Sequence, residues 1–353
     1  MTKTRVRALI DPIIRQPPVQ ARSRSDEAAC ATGPVSHDES GGWVTGQGTR
    51  SAPPVVSVIL PTYNRAHLLA RSVGSVLGQS FDHWELLVVD DASEDAIEQV
   101  VRAFGDPRIR YLRRVSRGGV AAAQNTGLAH ARAVYVAFLH SDDEFLPDKL
   151  AVQVEILNAS SPQIGGVEGG LEIVEDGRLA YRPPYLERAT AWDLLSYRAG
   201  VHISTLMLRR EVAEAVRFDE ALAGTEDRDF CIRLLAQTDL LFARAPLVRI
   251  HRSGPRLSTQ PKAPIYRYLL GKYRARIVAN RSVHAAWLFR IARAHRRVGD
   301  VREARLSLLQ AVRVDPWRLR RWPLFLAGLA GDRVFRTTLD LYLLASQWRS
   351  RLP

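Results

Sequence analysis

The chain has 353 residues, and its 46% hydrophobic content is enough for one large α/β domain with a substantial core. Its two cysteines, Cys30 and Cys231, exclude a disulfide framework and a thiolate metal site, and they favour a reducing, cytoplasmic compartment. The longest candidate for a membrane span, Trp322 to Gly331, is too short and contains Pro323, and the N-terminus lacks the apolar core of a secretory signal.

The formal net charge of +13 is concentrated in the last hundred residues. Residues 53–252 carry 22 basic and 27 acidic side chains, whereas residues 253–353 carry 21 basic and 5 acidic ones. Such a basic block favours a polyanionic partner, which could be nucleic acid, an anionic membrane surface or an anionic acceptor. No nucleic-acid partner is expected, because no recognised nucleic-acid-binding module accompanies the charge.

Residues 1–52 are rich in Pro, Ser, Gly, Asp and Arg without periodicity, and they are predicted to form a disordered leader. From Val55 onward, apolar strands alternate with amphipathic helices. The predicted elements are a strand at 55–60, a helix at 66–79, a strand from 84, a helix at 94–104, a strand at 109–114 and a helix at 118–131. This alternation predicts an α/β fold with a doubly wound, mostly parallel, Rossmann-like sheet.

The next strand lies in residues 133–143, AVYVAFLHSDD, and it ends in two carboxylates. Its apolar side chains, expected to be buried on both faces of the sheet, are Val134, Val136, Phe138 and Leu139. Asp142 and Asp143 follow the carboxyl end of the strand, the edge at which open α/β sheets bind ligands, so they could hold a hard cation and a phosphate. Alternatively, one Asp caps the helix expected near Pro147, which would leave the other for a ligand.

The second half of the domain is predicted to contain a strand, turn and strand at 166–182, with the hairpin signal Asp176-Gly177. A helix begins in GTEDRDFCIRLL at 224–235, and a later strand ends at His251. The domain is expected to span residues 53–258.

Residues 259–353 are predicted to form a basic helical extension. Residues 287–316 resemble one tetratricopeptide-type helix pair, which would pack on the preceding domain because a single repeat cannot stack on itself. The following segments combine Arg with Trp, Phe and Leu, as in helices that lie on anionic lipid. Ordinary amphipathic helices that cover the domain are the alternative.

Four segments carry a resemblance to a known family. PVVSVILPTYNRAHLLARSVGSVLGQSF at 54–81, WELLVVDDAS at 84–93, RGGVAAAQNTGLAHA at 117–131 and FLHSDDEFLPDKL at 138–150 resemble, in this order, the family 2 glycosyltransferases. The resemblance covers about residues 54 to 253. It implies the GT-A fold and transfer of a sugar from a nucleotide diphosphate sugar donor.

By this resemblance, Pro61, Thr62 and Tyr63 line the nucleoside pocket. Tyr63 would lie near the base, and an aromatic face can stack on a base. Asn64 is expected to cap the helix that follows. The turn could also serve only as a helix start.

The resemblance assigns three further residues to the donor. Asp90 corresponds to the carboxylate that accepts a hydrogen bond from the pyrimidine ring. Arg117 and Asn125 match positions that contact the phosphates or the ribose. Arg117 could equally be a solvated loop charge.

The metal motif of the family has the form Asp-x-Asp, whereas this chain has His140-Ser141-Asp142. Asp142 matches the direct metal ligand and is retained, so Mg²⁺ or Mn²⁺ is the expected cofactor. The change at position 140 affects expected contacts to the donor sugar or ribose. His251 resembles a histidine that completes the metal site or contacts the diphosphate, although a lone histidine is more often structural.

Glu226-Asp227 resembles the Glu-Asp pair of the family, in which the Asp is the general base. An inverting transfer needs one carboxylate on the acceptor side to take the hydroxyl proton. Asp227 is therefore the predicted catalytic residue. The alternative is that acids at a helix N-terminus only stabilise its dipole.

The leading hypothesis is a metal-dependent, inverting glycosyltransferase that uses a glycan or lipid-linked acceptor in cell-envelope polysaccharide biosynthesis. It would work in the cytoplasm, with peripheral contact to the anionic inner face of the membrane. The alternatives are a nucleotide-sugar-binding scaffold that has lost turnover, motivated by His140 and the basic extension, and, less favoured, a nucleotidyltransferase.

Overall fold

The computed structural model describes residues 53–175, 178–187, 189–251 and 262–317, with residues 326, 327, 334, 337 and 338. The predicted leader at 1–52, the Asp176-Gly177 turn and most of the segment beyond residue 317 lie outside the described residues. Predictions for them remain predictions.

The described strands form one nine-stranded mixed sheet. They are β1 (Val56–Thr62), β2 (Trp84–Asp90), β3 (Ile109–Arg113), β4 (Tyr135–Phe138), β5 (Asp143–Phe145), β6 (Ile164–Glu175), β7 (Arg178–Arg182), β8 (Leu206–Arg209) and β9 (Asp239–His251). The spatial order is β3-β2-β1-β4-β8-β6-β9-β5, and β7 pairs with the outer part of β6.

The first four strands in this order are parallel and carry the predicted Rossmann-like half. Both β1 and β2 are buried along their whole length, as expected when helices cover both faces of a sheet. Their register pairs Thr62 with Asp90, so the polar turns after the two strands lie side by side. The α/β fold prediction is confirmed.

The helices of this domain lie on both faces of the sheet. They are α1 (Ala66–Leu77), α2 (Ile97–Ala103), α3 (Val120–His130), α4 (Lys149–Asn158), α5 (Ala191–Leu195), α6 (Arg210–Val216) and α7 (Glu226–Leu234). Val58 and Leu60 belong to the core cluster with α1, α2 and α4, whereas Ile59 belongs to the cluster with α3, α6 and α7. The two apolar layers follow from the alternation of side chains along β1.

Helix α3 packs directly against the sheet through small residues. It begins after Gly119, whose φ of 87° is in the region that favours glycine, and most of its sheet-facing residues are alanines. At Gly127, an added Cβ would clash with the Cγ2 of Ile59 in β1. The small residues therefore allow α3, and the loop that precedes it, to lie close to the edge of the sheet.

The second half of the sheet is mixed. Strand β8 is antiparallel to β4 and β6, β6 is parallel to β9, and β5 is antiparallel to β9. The predicted hairpin is present as β6 and β7, which pair from Leu171↔Arg182 to Glu175↔Arg178. Strand β5 was not predicted, because three residues carry too little pattern to mark a strand.

Two local predictions and one alternative were wrong. Val134 is 61% exposed, because β4 begins only at Tyr135. Asn64 does not cap α1; its Oδ1 instead accepts a hydrogen bond from the Glu94 N–H, and Asp95 accepts one from the first helical residue. Neither Asp142 nor Asp143 caps α4, which begins after Asp148.

The described part of the C-terminal region is helical. It consists of α8 (Lys262–Lys272), α9 (Arg274–Val278), α10 (Arg281–Arg297) and α11 (Val301–Val314). A turn through Gly299, with φ 81°, joins the last two helices. Trp287 of α10 is buried in the core of the sheet domain and donates from Nε1 to the Leu195 carbonyl at 3.0 Å. None of the helices in the described residues has the length and apolarity needed to cross a membrane.

Candidate donor site

A cavity of about 420 Å³ lies at the carboxyl ends of β1 and β4. Its walls come from the turn after β1, the loop that starts α3, the turn after β4, the segment that precedes α7, and Lys262 of α8. Five of the predicted site residues line it, namely Pro61, Thr62, Tyr63, Arg117 and Asp142. The structure thus brings together segments that are far apart in the sequence.

The aromatic and cationic side chains of the predicted nucleoside pocket are in contact. The guanidinium of Arg117 lies 4.1 Å from the centre of the Tyr63 ring, a cation–π distance. The Thr62 hydroxyl is buried without a hydrogen-bond partner among the described residues. Tyr63 and Arg117 therefore form one wall that presents a ring face and a positive charge.

Asp91 fixes the loop that carries Arg117, although it was not among the predicted donor residues. Its carboxylate accepts hydrogen bonds from the N–H groups of Gly118 and Gly119 at 2.9 and 2.6 Å, and it pairs with Arg114 at 2.8 Å. Asp91 also lines the cavity. Its position directly after the buried strand β2 was the available sequence signal.

Asp90 and Asn125 do not line the cavity. Asp90 is fully buried and accepts hydrogen bonds from Ser93 N–H at 2.9 Å, Tyr111 Oη at 2.5 Å and Arg113 Nη1 at 3.1 Å. Its predicted contact with a base stays a prediction.

Asn125 connects α3 to the segment after α6. Its amide bonds both backbone groups of Phe218, at 2.9 and 3.0 Å, and donates to Glu220 Oε1 at 2.8 Å. Glu220 is itself part of the cavity wall. The predicted donor contact of Asn125 is untested, and the observed bonds position Glu220.

Asp142 presents a carboxylate at the cavity. Its Oδ2 lies 3.0 Å from Arg65 Nη1, and its side chain is 45% exposed. Burial raises the pKa of Asp142, but the charges of His140 and Arg65 outweigh this effect and hold the pKa below its usual value. Asp142 is therefore ionised at neutral pH, as a ligand of Mg²⁺ or Mn²⁺ must be. Arg65 was not predicted from the sequence.

Asp227 is adjacent to the cavity through His140. The Nε2 of His140, which lines the cavity, is 3.9 Å from Asp227 Oδ2. Asp227 Oδ1 is buried and has no hydrogen-bond partner among the described residues. Burial, and next the charge of Asp227, raise the pKa of Glu226 to about 7. Asp142, the predicted metal ligand, and Asp227, the predicted base, thus both lie near His140.

His140 is surrounded by acids. Burial lowers the pKa of His140, but the carboxylates of Asp227, Asp143, Asp142 and Glu226 raise it further, so the net shift is upward. The replacement of an acid by histidine at this position places a group that can be cationic at the centre of four carboxylates.

A group of two histidines and one acid lies beside the cavity. The Asp143 Oδ2 is 3.9 Å from His140 Nδ1 and 3.6 Å from His202 Nε2, and it accepts a hydrogen bond from Ser204 Oγ at 2.6 Å. Within the part of the chain that the structure describes, these residues are the group of three His, Cys, Asp or Glu side chains with metal-compatible spacing. Asp143 was one of the two carboxylates that the sequence placed at the end of β4 as possible cation ligands, whereas His202 carried no local sequence signal for this role.

His251 is not part of this group. It ends β9, and its Nε2 lies 3.1 Å from Glu144 Oε2 in the neighbouring strand β5. Its predicted role as a metal ligand stays a prediction.

Comparison with known proteins relates the site to one family. The model of "Glycosyl transferase family 2" matches residues 57–217. The chain is 34% identical over 164 residues to WfgD of Escherichia coli, named a UDP-Glc:alpha-D-GlcNAc-diphosphoundecaprenol beta-1,3-glucosyltransferase, covering 46% of this chain and 64% of that protein. It is 42% identical over 106 residues to TuaG of Bacillus subtilis, a putative teichuronic acid biosynthesis glycosyltransferase, covering 30% of this chain and 42% of that protein.

The chain therefore spans less than two thirds of the length of these curated relatives. Among solved structures, it is similar to residues 1–349 of TarS from S. aureus in complex with UDP-GlcNAc, with a TM-score of 0.59. The match has 18% sequence identity and covers 82% of this chain and 92% of that one. At this identity the likeness concerns the fold.

Proposed function

Residues 57–217 of the chain belong to glycosyl transferase family 2, and from this we propose that the protein transfers a sugar from a nucleotide diphosphate sugar to a hydroxyl of a glycan or lipid-linked acceptor. The observation that carries the proposal is the cavity at the edge of the sheet. It gathers Tyr63, Arg117 and Asp142, and it lies next to the His140 and Asp227 pair. Ligand binding at this edge is the rule for open α/β sheets.

The donor would lie with its base against Tyr63 and its diphosphate toward the cations of the cavity. Arg117 and Lys262 both line the cavity, and each can pair with phosphate oxygens. The names of WfgD and of the TarS complex make UDP sugars the first donors to test.

Asp142 would hold Mg²⁺ or Mn²⁺ together with diphosphate oxygens. Its ionised, partly exposed carboxylate fits a hard cation. The carboxylate already pairs with one cationic group, the guanidinium of Arg65. When bound, the ion neutralises charge on the departing nucleoside diphosphate. His251 is proposed as a further ligand only on the basis of the family resemblance.

Asp227 is the proposed general base. An acceptor hydroxyl must lose its proton as it attacks the anomeric carbon from the face opposite the leaving diphosphate, which inverts the configuration. Oδ1 of Asp227 accepts no hydrogen bond from the described residues, which leaves one oxygen for this proton. Because the pKa of Glu226 is about 7, part of its population is neutral near neutral pH, which reduces repulsion beside Asp227.

The acceptor is proposed to be a growing cell-envelope glycan, or a glycan on a lipid carrier at the inner face of the membrane. The names of WfgD and TuaG support this class of acceptor. The basic C-terminal region, with 21 basic and 5 acidic residues at 253–353, supports peripheral contact with anionic lipid. Co-sedimentation with vesicles that contain or lack anionic lipid tests this contact.

The test of the proposed activity is donor turnover. The purified chain, incubated with a panel of nucleotide sugars and Mn²⁺, should release nucleoside diphosphate, and membrane lipid extract should accelerate this release. Asp227→Asn should lower kcat by about 100- to 10,000-fold with little change in nucleotide binding. Asp142→Asn should weaken metal-dependent binding of the donor.

Asp82→Asn is the matched control, because Asp82 is an exposed acid with a side chain 86% accessible and precedes β2, whereas the cavity lies at the carboxyl ends of the strands. Binding of nucleotide without turnover under all these conditions would favour the scaffold alternative. Release of pyrophosphate would favour a nucleotidyltransferase.

A further inference from the structure

We propose that His140, Asp143 and His202 bind one divalent transition-metal ion of the zinc type, at a position distinct from the Mg²⁺ or Mn²⁺ proposed at Asp142. The three residues come from different parts of the sequence. His140 is in the turn after β4, Asp143 opens β5, and His202 precedes the short 3₁₀ helix Ile203–Thr205. The inference does not depend on the proposed transferase activity.

The distances indicate a space between the side chains for an ion. His140 Nδ1 and His202 Nε2 are 3.9 and 3.6 Å from Asp143 Oδ2, which is beyond hydrogen-bond length. All three ligand atoms lie within 4.8 Å of one another. Around a tetrahedral zinc ion, ligands at about 2.0 to 2.1 Å from the metal lie about 3.3 Å apart. Small side-chain rotations would therefore close the site on a metal.

The carboxylate of Asp143 is buried, with a side chain 3% exposed. Among the described residues, the two imidazoles that face its Oδ2 both lie beyond hydrogen-bond distance, so the room for a bound cation is between them and the carboxylate. The opposite nitrogens, His140 Nε2 and His202 Nδ1, are buried without hydrogen-bond partners among the described residues. A bound cation would pair with Asp143 and fix the orientation of both rings.

The surroundings match those of a metal centre beyond the direct ligands. Ser204 Oγ donates to the proposed ligand atom Asp143 Oδ2 at 2.6 Å and so orients the carboxylate. On its far side, His140 turns Nε2 toward Asp227 Oδ2 at 3.9 Å. Metal-bound histidines commonly donate their other N–H to a carboxylate, which fixes the tautomer. At 3.9 Å the observed pair is too far apart for such a bond, so the His140 ring would have to move toward Asp227 before the metal and the proposed base are connected.

The donor atoms determine the kind of metal. Two imidazole nitrogens and one carboxylate oxygen suit Zn²⁺, Co²⁺ or Fe²⁺, whereas Mg²⁺ prefers oxygen ligands and retains water. Asp142 is distinct from this group, because its Oδ2 pairs with Arg65 at 3.0 Å on the cavity side. The proposed ion would cross-link the turn after β4, strand β5 and the segment before β8.

The experiment uses the full chain, stripped with EDTA and kept free of nucleotide sugar. Equilibrium dialysis should show one Zn²⁺ per chain that Mg²⁺ does not displace. Co²⁺ should give the strong visible absorption of a four- or five-coordinate ion rather than the weak bands of hexa-aquo Co²⁺. Zn²⁺ should also raise the Tm of the stripped chain.

Graded variants test which residues hold the ion. His202→Ala and Asp143→Asn should weaken Zn²⁺ binding more than 100-fold, and Ser204→Ala should weaken it about 10- to 100-fold. His67→Ala, at an exposed histidine of α1, is the matched control and should bind as the unaltered chain does. If His202→Ala does not fold, His202→Gln and the Co²⁺ spectrum of the unaltered chain decide the question.

Failure of the stripped chain to bind Zn²⁺ at micromolar concentration would overturn the proposal. So would a His202 variant that keeps the Co²⁺ spectrum and the Zn²⁺-dependent rise in Tm. Because no donor is present, either result leaves the proposed transferase activity untouched, and a loss of turnover leaves this site untouched.

Discussion

Glu168 is a carboxylate in the middle of β6 whose side chain is 1% exposed. Its Oε1 accepts hydrogen bonds from Tyr185 N–H and Thr205 Oγ1 at 3.1 and 3.2 Å, and its Oε2 accepts one from Leu186 N–H at 2.7 Å. Burial is the largest influence and raises the pKa from 4.5 to about 7, while the hydrogen bonds act in the opposite direction.

The direction of the effect on stability follows from this shift. The folded protein holds the proton of Glu168 more tightly than the unfolded chain, so the stabilisation is fully present below pH 4.5 and is lost as the pH rises through about 7. At 1.36 kcal/mol per unit of pKa, the loss amounts to about 3 kcal/mol. No discount for solvent screening applies, because the group is almost fully buried.

The Glu168→Gln variant removes this titration. We expect the free energy of unfolding of the unaltered chain, relative to that of the variant, to fall by about 3 kcal/mol between pH 4.5 and pH 8. Guanidinium titrations of both proteins across this range measure the difference. The change with pH is the test, since the amide introduces its own hydrogen-bond mismatch at every pH. A difference that stays constant, or that increases with pH, would refute the reasoning.

Lys149→Met should raise the Tm at pH 7, and this increase in Tm should become smaller toward pH 10. Burial lowers the pKa of Lys149 well below its usual value, so near neutral pH the unfolded chain binds a proton that the folded protein does not. An increase in Tm that grows with pH would contradict this. Gly127→Ala should lower the free energy of unfolding by about 1–3 kcal/mol, because the new methyl group would clash with Ile59. Gly74→Ala is the matched control, since there is open space around Gly74, and it should raise the free energy of unfolding by up to about 1 kcal/mol. Guanidinium titrations measure both changes. Tyr63→Ala should weaken nucleotide binding about 10- to 100-fold by calorimetry, and unchanged affinity would exclude stacking.

The parts of the fold that could be predicted from sequence are those specified by local pattern. Strands β1 and β2 are apolar runs that end in polar turns, and both were predicted within a few residues of their observed ends. The Ala-rich helix α3 was recognisable for the same reason. These elements carry the four family-like segments, so five residues that line the cavity could be predicted as well, namely Pro61, Thr62, Tyr63, Arg117 and Asp142.

The remainder depends on pairings that no local pattern encodes. Strand β5 has three residues, and it exists because Asp143 to Phe145 pair with Val248 to Ile250 of β9. That pairing places Glu144 next to His251, and the sequence around His251 does not predict this contact. His202 approaches Asp143 because the segment before β8 crosses the end of β4. A lone histidine in a short apolar segment gives no indication of such a crossing.

The histidine at position 140 motivated the scaffold alternative, because the family motif has an acid there. The geometry provides a reason why histidine is compatible with a working site. Asp143 and Asp227 lie 3.9 Å from opposite nitrogens of its ring, so a fifth carboxylate at this position would face two acids at short range. A histidine can carry positive charge or hold a cation, and either reduces the repulsion among Asp142, Asp143, Glu226 and Asp227. The histidine therefore lowers the repulsion between the carboxylates of the site while the cavity and the proposed base remain adjacent, so His140 by itself is no argument for the scaffold alternative.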